Sequence, residues 1–526
     1  MTSAQTIGVR RAVQDLQQDY DNGIKQPLED VLRAWKGIKE LSPDDPRSFF
    51  MLAGYHGEPF DLRPAVDKLP ETDIYSYWGG YCNHGNVLFP TWHRVYVKKV
   101  EEALQSIVPG VMMPYWDETD AASLACGIPD VLTAEQFLLD GELIDNPLKS
   151  YTLPEELKDD YWGDNQNGEH APYYKPAGYE TVRYPLSGLV GNPKDLAKTK
   201  AHNSDYPDPA ERVSLLNDNV MTWLHGGDPT PENPDPHGIG IYAKFSSCLR
   251  APNYTVFSNV TSAGAWNSAG QPYAVPLESP HNDIHLSVGG FDLPYPQFGG
   301  EGSTSGQVAG ANGDMGENNT AALDPIFFFH HCNVDRMFWL WQKRNPDLKV
   351  EIISGYAGTN SSDSQGPTPG VAPDTPLTTR SPLAPFRKAN SQEYYSSEDC
   401  IDTENQLGYT YGPGSLEELP DQAQTKSTGV VLTVTGVNRA HLQGSFIITA
   451  LARIGDRVEF LGYESVLSRW NVDGCANCQT HLDVSAHFPL DTLSNSEIAS
   501  ATFEATISHR GESLPASVQL ELSVND

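Results

Sequence analysis

Apolar residues recur at three-and-four spacing near the start of the chain: Leu28, Val31, Leu32, Trp35, Ile38 and Leu41. That spacing draws one apolar stripe along a helix and predicts an amphipathic helix over residues 27–41. A second helical pattern runs through Val95, Val97, Val100, Leu104 and Ile107. Pro90 stands at its start, where a first turn tolerates proline. Residues 140–240 are polar and rich in proline, asparagine and tyrosine, with one apolar helix predicted near 213–224. Ser279-Pro280 and Asp324-Pro325 each read as a capping residue followed by proline at the first helical position. Beyond residue 429 the period changes to two: Val430, Leu432 and Val434; Phe503, Ala505 and Ile507; Val518, Leu520, Leu522 and Val524. Half-buried strands follow from that alternation, and with them a small antiparallel sandwich. The expected organisation is a mainly α domain over residues 1–412, a linker over 413–428 and an all-β domain over 429–526.

Bulk properties narrow this picture. A chain of 526 residues exceeds the size at which one core keeps growing, which agrees with two domains. Its net charge of −34 argues against nucleic acid or an anionic membrane as partner. No apolar run reaches the length of a membrane span or a signal peptide, so a cytoplasmic location is expected. The 7 cysteines are an odd number and scattered, a poor disulfide framework.

The chemistry concentrates in two histidine clusters. His84 and His93 are nine residues apart and would face opposite ways on one straight helix. They converge only if His84 lies on a loop and His93 on the helix that begins near Pro90. His281 and His285 are one helical turn apart and can share one metal. His330 and His331 are adjacent and differ by about 100° around a helix axis, so only one is expected to point inward. His56, beside Tyr55 and Gly57, is the candidate third ligand for the first cluster. Two imidazole triads imply two ions of a borderline metal such as copper, zinc or iron. A dinuclear hydrolase would add bridging carboxylates, and none stands at ligand spacing.

The stretches Ala53-Gly54-Tyr55-His56-Gly57, Cys82-Asn83-His84 through Trp92-His93-Arg94, Pro280-His281-Asn282-Asp283-Ile284-His285 and Asp324-Pro325 through Asp335-Arg336 resemble the tyrosinases. That coupled binuclear copper family also holds catechol oxidases and molluscan haemocyanins. The resemblance covers roughly residues 5–412 and implies a helical catalytic domain whose four-helix bundle holds a dicopper site. It implies His56, His84 and His93 on one copper and His281, His285 and His331 on the other. It also implies a Cys82–His84 thioether, and Glu278 with Asn282 as the pair that holds a water at the second copper. Arg10 or Arg11 is implied to pair with Tyr409 and Tyr411. The implied reaction uses dioxygen to hydroxylate a phenol at its ortho position and to oxidise the resulting diphenol to an o-quinone. Its small-molecule partners are phenols; the alternatives are an oxidase limited to catechols and a haemocyanin-like oxygen carrier.

Cys475 and Cys478, in a C-x-x-C turn followed by His481, can form a redox pair, half of a zinc site or a soft clamp for Cu(I). Residues 413–526 are similar to the C-terminal domain of latent tyrosinases in position, strand content and this motif. The resemblance implies an inhibitory lid, removed by an activating protease, with Cys475 and Cys478 as a copper-loading pair. Val466, Leu467 and Trp470 are the candidates for the side chain that plugs the site.

Overall fold

The structure, a computed structural model, describes residues 7–57, 63–64, 77–78, 80–158, 174–191, 193–227, 238–293, 310–363, 371–372, 374–419, 429–442, 444–470, 482–509, 514 and 517–525. Four helices position the histidines: α1 (Gln26–Glu40), α2 (Phe89–Ile107), α3 (Glu278–Gly289) and α4 (Ile326–Arg344). The apolar stripe of α1 is real, with Leu28, Val31, Leu32, Trp35 and Ile38 all buried. α2 carries Pro90 in its first turn and packs against both α1 and α4. Between these helices the core is aromatic: Trp35 lies 5.6 Å from Phe329 and 5.5 Å from Phe49, and Tyr96 lies 5.2 Å from Phe328. The apolar helix predicted in the polar middle region is Pro209–His225.

Both predicted helix starts are shifted by a residue or two. Ser279 was expected as an N-cap, but α3 already begins at Glu278 and Ser279 caps nothing. The chain is turning before it gets there, with the Ser279 N–H bonded to the Pro276 carbonyl. α4 begins at Ile326 rather than Pro325, and Asp324 still supplies the cap by accepting from the Ile326 N–H at 3.1 Å.

A buried ionic network ties the chain's two ends of the helical part together. Residues Gly8–Arg10 pair in parallel with Tyr409–Tyr411. Of the two N-terminal arginines, Arg10 enters the core. Its guanidinium lies 3.5 Å over the Tyr409 ring and donates to Glu101 at 2.8 Å and to Asp335 at 3.1 Å. Arg94 pairs with the same Asp335, and the side chains of all four charged residues are fully buried. Arg11 stays near the surface with Asp19.

The C-terminal part, among the described residues, has strands β1 (Val431–Asn438), β2 (Phe446–Ile454), β3 (Arg457–Val466), β4 (Asp483–Pro489), β5 (Thr502–Ser508) and β6 (Glu521–Asn525). They form two antiparallel sheets, ordered β3-β2-β5 and β4-β1-β6. The β2–β3 hairpin escaped the sequence reading because it is buried on both faces. Phe446, Ile448 and Leu461 join the sandwich core, whereas Ile447, Phe460, Tyr463 and Leu467 join the helical core. Two-sided burial erases a period of two. The stretch read as a linker does not start free: Ser415 is bonded to Asp117 and Arg336, and Tyr115 donates to the Pro413 carbonyl. Among the described residues no helix is long and apolar enough to cross a membrane.

Replacing Asp335 takes the buried carboxylate from Arg94 and leaves Arg10 with Glu101 alone, a class of change that costs about 3–5 kcal/mol. Asp335→Asn is expected to destabilise the helical part by that amount. An unchanged first transition in a guanidinium chloride titration followed by far-UV circular dichroism would contradict this.

Candidate metal centre

The local structure delivers each imidazole by a different route. His56 follows the short helix Phe49–Ala53, and His84 sits in irregular backbone ahead of α2. His93 faces inward from α2, His281 and His285 from α3, and His330 and His331 from α4. All are at most 3% exposed. They form two groups, His56 with His84 and His93, and His281 with His285, His330 and His331; within each, one ring nitrogen per residue lies within 4.8 Å of the others. The groups touch where His93 stacks on His331, with ring centres 4.6 Å apart.

The hydrogen bonds behind the rings set their tautomers. His93 Nδ1 donates to the Phe89 carbonyl at 2.8 Å and His285 Nδ1 to the Met315 carbonyl at 2.9 Å. A carbonyl only accepts, so the proton sits on Nδ1 and Nε2 keeps its lone pair. His281 Nδ1 meets Asn282 Oδ1 at 3.0 Å in the same way. His285 Nε2 then stands 3.1 Å from His281 Nε2 and 3.3 Å from His331 Nε2. Lone pairs that face one another in a dry core repel unless a cation lies among them. Burial, the larger cause, and the neighbouring histidines hold His56, His84, His281, His285 and His331 well below the ordinary imidazole range. Burial pushes His93 down to about 3. Neutral imidazole is the ligating form, so the residues present fit two metal ions.

One expectation is corrected here. Adjacent helical residues were expected to leave only one of His330 and His331 facing inward, yet both reach the second group. The rings diverge enough for this. His331 stacks on Phe327 at 4.0 Å, while His330 lies beside His281 at 5.2 Å with its plane tilted by 24°.

Glu278 is 2% exposed and accepts from the Gly85 N–H at 2.8 Å and the Val260 N–H at 3.0 Å. It therefore clips the loop that carries His84 to the first turn of α3. Burial pushes its carboxyl up to about 7, against the pull of those two amides and of Arg439. Asn282 Nδ2 donates to the Ser465 carbonyl of the C-terminal part at 3.3 Å. Cys82 carries a free thiol whose Sγ faces the Asn318 amide, and burial pushes it up to about 11.

The C-terminal part sits directly on this centre. Ser445 Oγ donates to the Gly316 carbonyl at 2.7 Å, and the Trp470 N–H donates to Asn319 Oδ1 at 2.9 Å. Leu467 packs into the helical core, and Val466 turns the other way into the sandwich. Arg469, 2% exposed, lies close enough for its charge to act on His56 and His84. Cys475, Cys478 and His481 fall outside the described residues. Glu118 was missed by sequence reasoning, since nothing in its spacing links it to the histidines.

Two buried imidazole groups meeting face to face between helices define a dinuclear metal enzyme. The family model described as the common central domain of tyrosinase matches residues 46–344. The chain is 60% identical to the tyrosinase HcTyr2 of Hahella sp. (strain CCB-MM4), with 98% of this chain and 94% of that protein covered. It is 41% identical to a tyrosinase of Aspergillus oryzae, covering 94% of this chain and 90% of that one. The solved tyrosinase of Burkholderia thailandensis at low pH superposes with a TM-score of 0.85 at 56% identity, over 98% of this chain and all of that one (100%). The chain belongs to the tyrosinase family, type-3 copper enzymes that oxidise phenols.

With two other imidazole nitrogens converging on His285 Nε2, His285→Asn is expected to halve the copper held per chain while leaving the far-UV spectrum unchanged. Metal analysis after gel filtration checks it, and full copper content would contradict it.

Proposed function

We propose that the chain hydroxylates monophenols at the ortho position, oxidises the o-diphenols to o-quinones with dioxygen as co-substrate, and is made in a latent form. One ion is assigned to His56, His84 and His93 and the other to His281, His285 and His331. Bound copper would supply the activation of dioxygen and the electron transfer. The observation that carries hydroxylation is Glu278, a buried carboxyl on the first turn of the helix that bears His281 and His285. A carboxyl held near 7 is matched to taking a phenol proton at neutral pH, the step that a monophenol needs and a more acidic catechol needs less. Asn282 is assigned with it to hold the water that relays this proton.

The same geometry supports latency. The Asn282 amide donates to the Ser465 carbonyl, and the residues after β3 bond to Asn318 and Asn319. Of the three candidate plugs, Leu467 is the one packed into the helical core, so it is assigned as the residue displaced on activation. The activating cut is assigned to residues 420–428, which begin past the anchored 413–417 stretch and include Lys426. Cys475 and Cys478 are proposed to deliver copper, and Cys82 to form a thioether to His84, in which the S–H and an imidazole C–H bond break, the S–C bond forms, and dioxygen is the two-electron oxidant that takes up the two hydrogens. A peptide mass across residues 81–93 after copper loading reads that bond.

Glu278→Gln is expected to lower monophenol hydroxylation by about 10²–10⁴ and to spare catechol oxidation. In the parent, hydroxylation should fall as the pH drops below about 7, because the carboxylate form is lost; the variant should lack this limb. Equal losses on tyramine and catechol would instead favour a structural role for Glu278. A parent that oxidises catechol and never hydroxylates tyramine would be the diphenol-limited oxidase.

Trypsin cleavage at Lys426 is expected to raise quinone formation several-fold. If cleaved and intact protein formed quinone at the same rate, the covering domain would not be inhibitory. A haemocyanin-like carrier would form no quinone either way.

A further inference from the structure

Strand β3 breaks its own alternation where it meets the helical part. Gly462 pairs with Ala450 and Phe460 with Leu451, so Leu461 is an extra residue in the ladder. A bulge of this kind re-aims the side chains beyond it. Gly462 takes a φ of +135° there, a conformation that favours glycine. Phe460 and Tyr463 therefore both enter the helical core, while Leu461 stays in the sandwich core. A regular strand would place residues three apart on opposite faces.

Tyr463 is 3% exposed and is gripped on three sides. The Trp223 ring crosses it at 5.1 Å with an interplanar angle of 81°. Lys244 Nζ lies 4.0 Å from its ring centre and donates to its carbonyl at 3.3 Å. The Tyr463 and Ser465 hydroxyls face the Asp283 carboxyl. Asp283 is fully buried on α3, two residues from both His281 and His285, so it points away from the metal centre. Its Oδ2 lies 2.8 Å from Lys244 Nζ. That pair closes on itself within the helical part, so withdrawing Tyr463 strands no buried charge. A tyrosine seated in a desolvated pocket is the kind of contact that carries much of an interface's hold.

We propose that Tyr463 is the latch that keeps the C-terminal part shut on the intact chain, with Trp223, Lys244 and Asp283 as its seat. This rests on the latency proposed above. Plug and latch are separate: Leu467 is the residue packed into the helical core, and Tyr463 holds the domain from the back of α3. Opening requires Tyr463 to leave its seat. Cutting the chain turns an intramolecular contact into one between two pieces, which weakens the hold at low concentration.

The test uses the full-length, copper-loaded chain before trypsin is added. Uncut Tyr463→Ala is expected to oxidise catechol with most of the gain that cleavage gives the parent. Tyr463→Phe keeps the ring and its contact with Lys244, and should retain most of the latency. After cleavage the parent and both variants should share one rate, which shows that the centre is intact in each. Small-angle scattering separates latch from plug. Uncut Tyr463→Ala should expand, whereas uncut Leu467→Ala should gain activity at the parent's radius of gyration. Acetylation of Lys244, read by peptide mass, needs no variant: it should be slow in the intact parent and rise with activity on cleavage.

An uncut Tyr463→Ala as silent as the uncut parent, or a gain on cleavage with Lys244 still protected, would overturn the latch and leave latency standing. A parent that gains nothing on cleavage would sink both.

Discussion

Imidazole nitrogens packed lone pair to lone pair in a dry core are the constraint on which this structure turns. Such a cluster has no favourable arrangement of its own, since burial keeps the rings neutral and their nitrogens repel. The chain answers with fixed partners behind the rings: carbonyls of Phe89 and Met315, the amide oxygen of Asn282, and the Glu118 carboxyl, which burial pushes well above the usual carboxylate range. Met315 is in turn held by its neighbour Asp314, which accepts from Tyr179 at 2.6 Å and the Val182 N–H at 2.8 Å and pairs with Lys175 at 3.0 Å. The approach is close enough that a side chain at Gly289 would put its Cβ 1.7 Å from the Gly316 nitrogen.

The rest of the fold keeps these partners in register. Arg10, Arg94, Glu101 and Asp335 lock α2 to α4 and close the chain's start onto Tyr409 and Tyr411. Such a network costs desolvation, and its buried geometry fixes how the two ligand helices sit against each other. The C-terminal sandwich extends the same logic outward. Its β2–β3 hairpin has one face in its own core and the other on the helical core, so it docks by apolar burial as well as by hydrogen bonds to Asn282, Gly316 and Asn319.

Much of this was legible from residue order. The stripe of α1, the loop-then-helix placement of His84 and His93 and the one-turn spacing of His281 and His285 all follow from helix geometry acting on neighbours. The two capped starts at Ser279-Pro280 and Asp324-Pro325 were placed to within two residues of the helices, because capping residues compete with turns formed just upstream, as at Pro276. The β2–β3 hairpin was missed, since Ile447 and Ile448 are both buried, in different cores.

The sequence by itself determined the family, the helical and strand-rich halves and the residue types of the metal centre, because these rest on local spacing and on motifs a few residues long. Tertiary structure alone decided that Arg10 rather than Arg11 enters the core, and that both His330 and His331 face the second group. It also brought Glu118, more than two hundred residues earlier in the chain, behind His330, and sent Leu467 into the helical core and Val466 into the sandwich core. Each of these depends on which groups meet across the fold, and no periodicity in a chain encodes a contact between segments that distant in sequence.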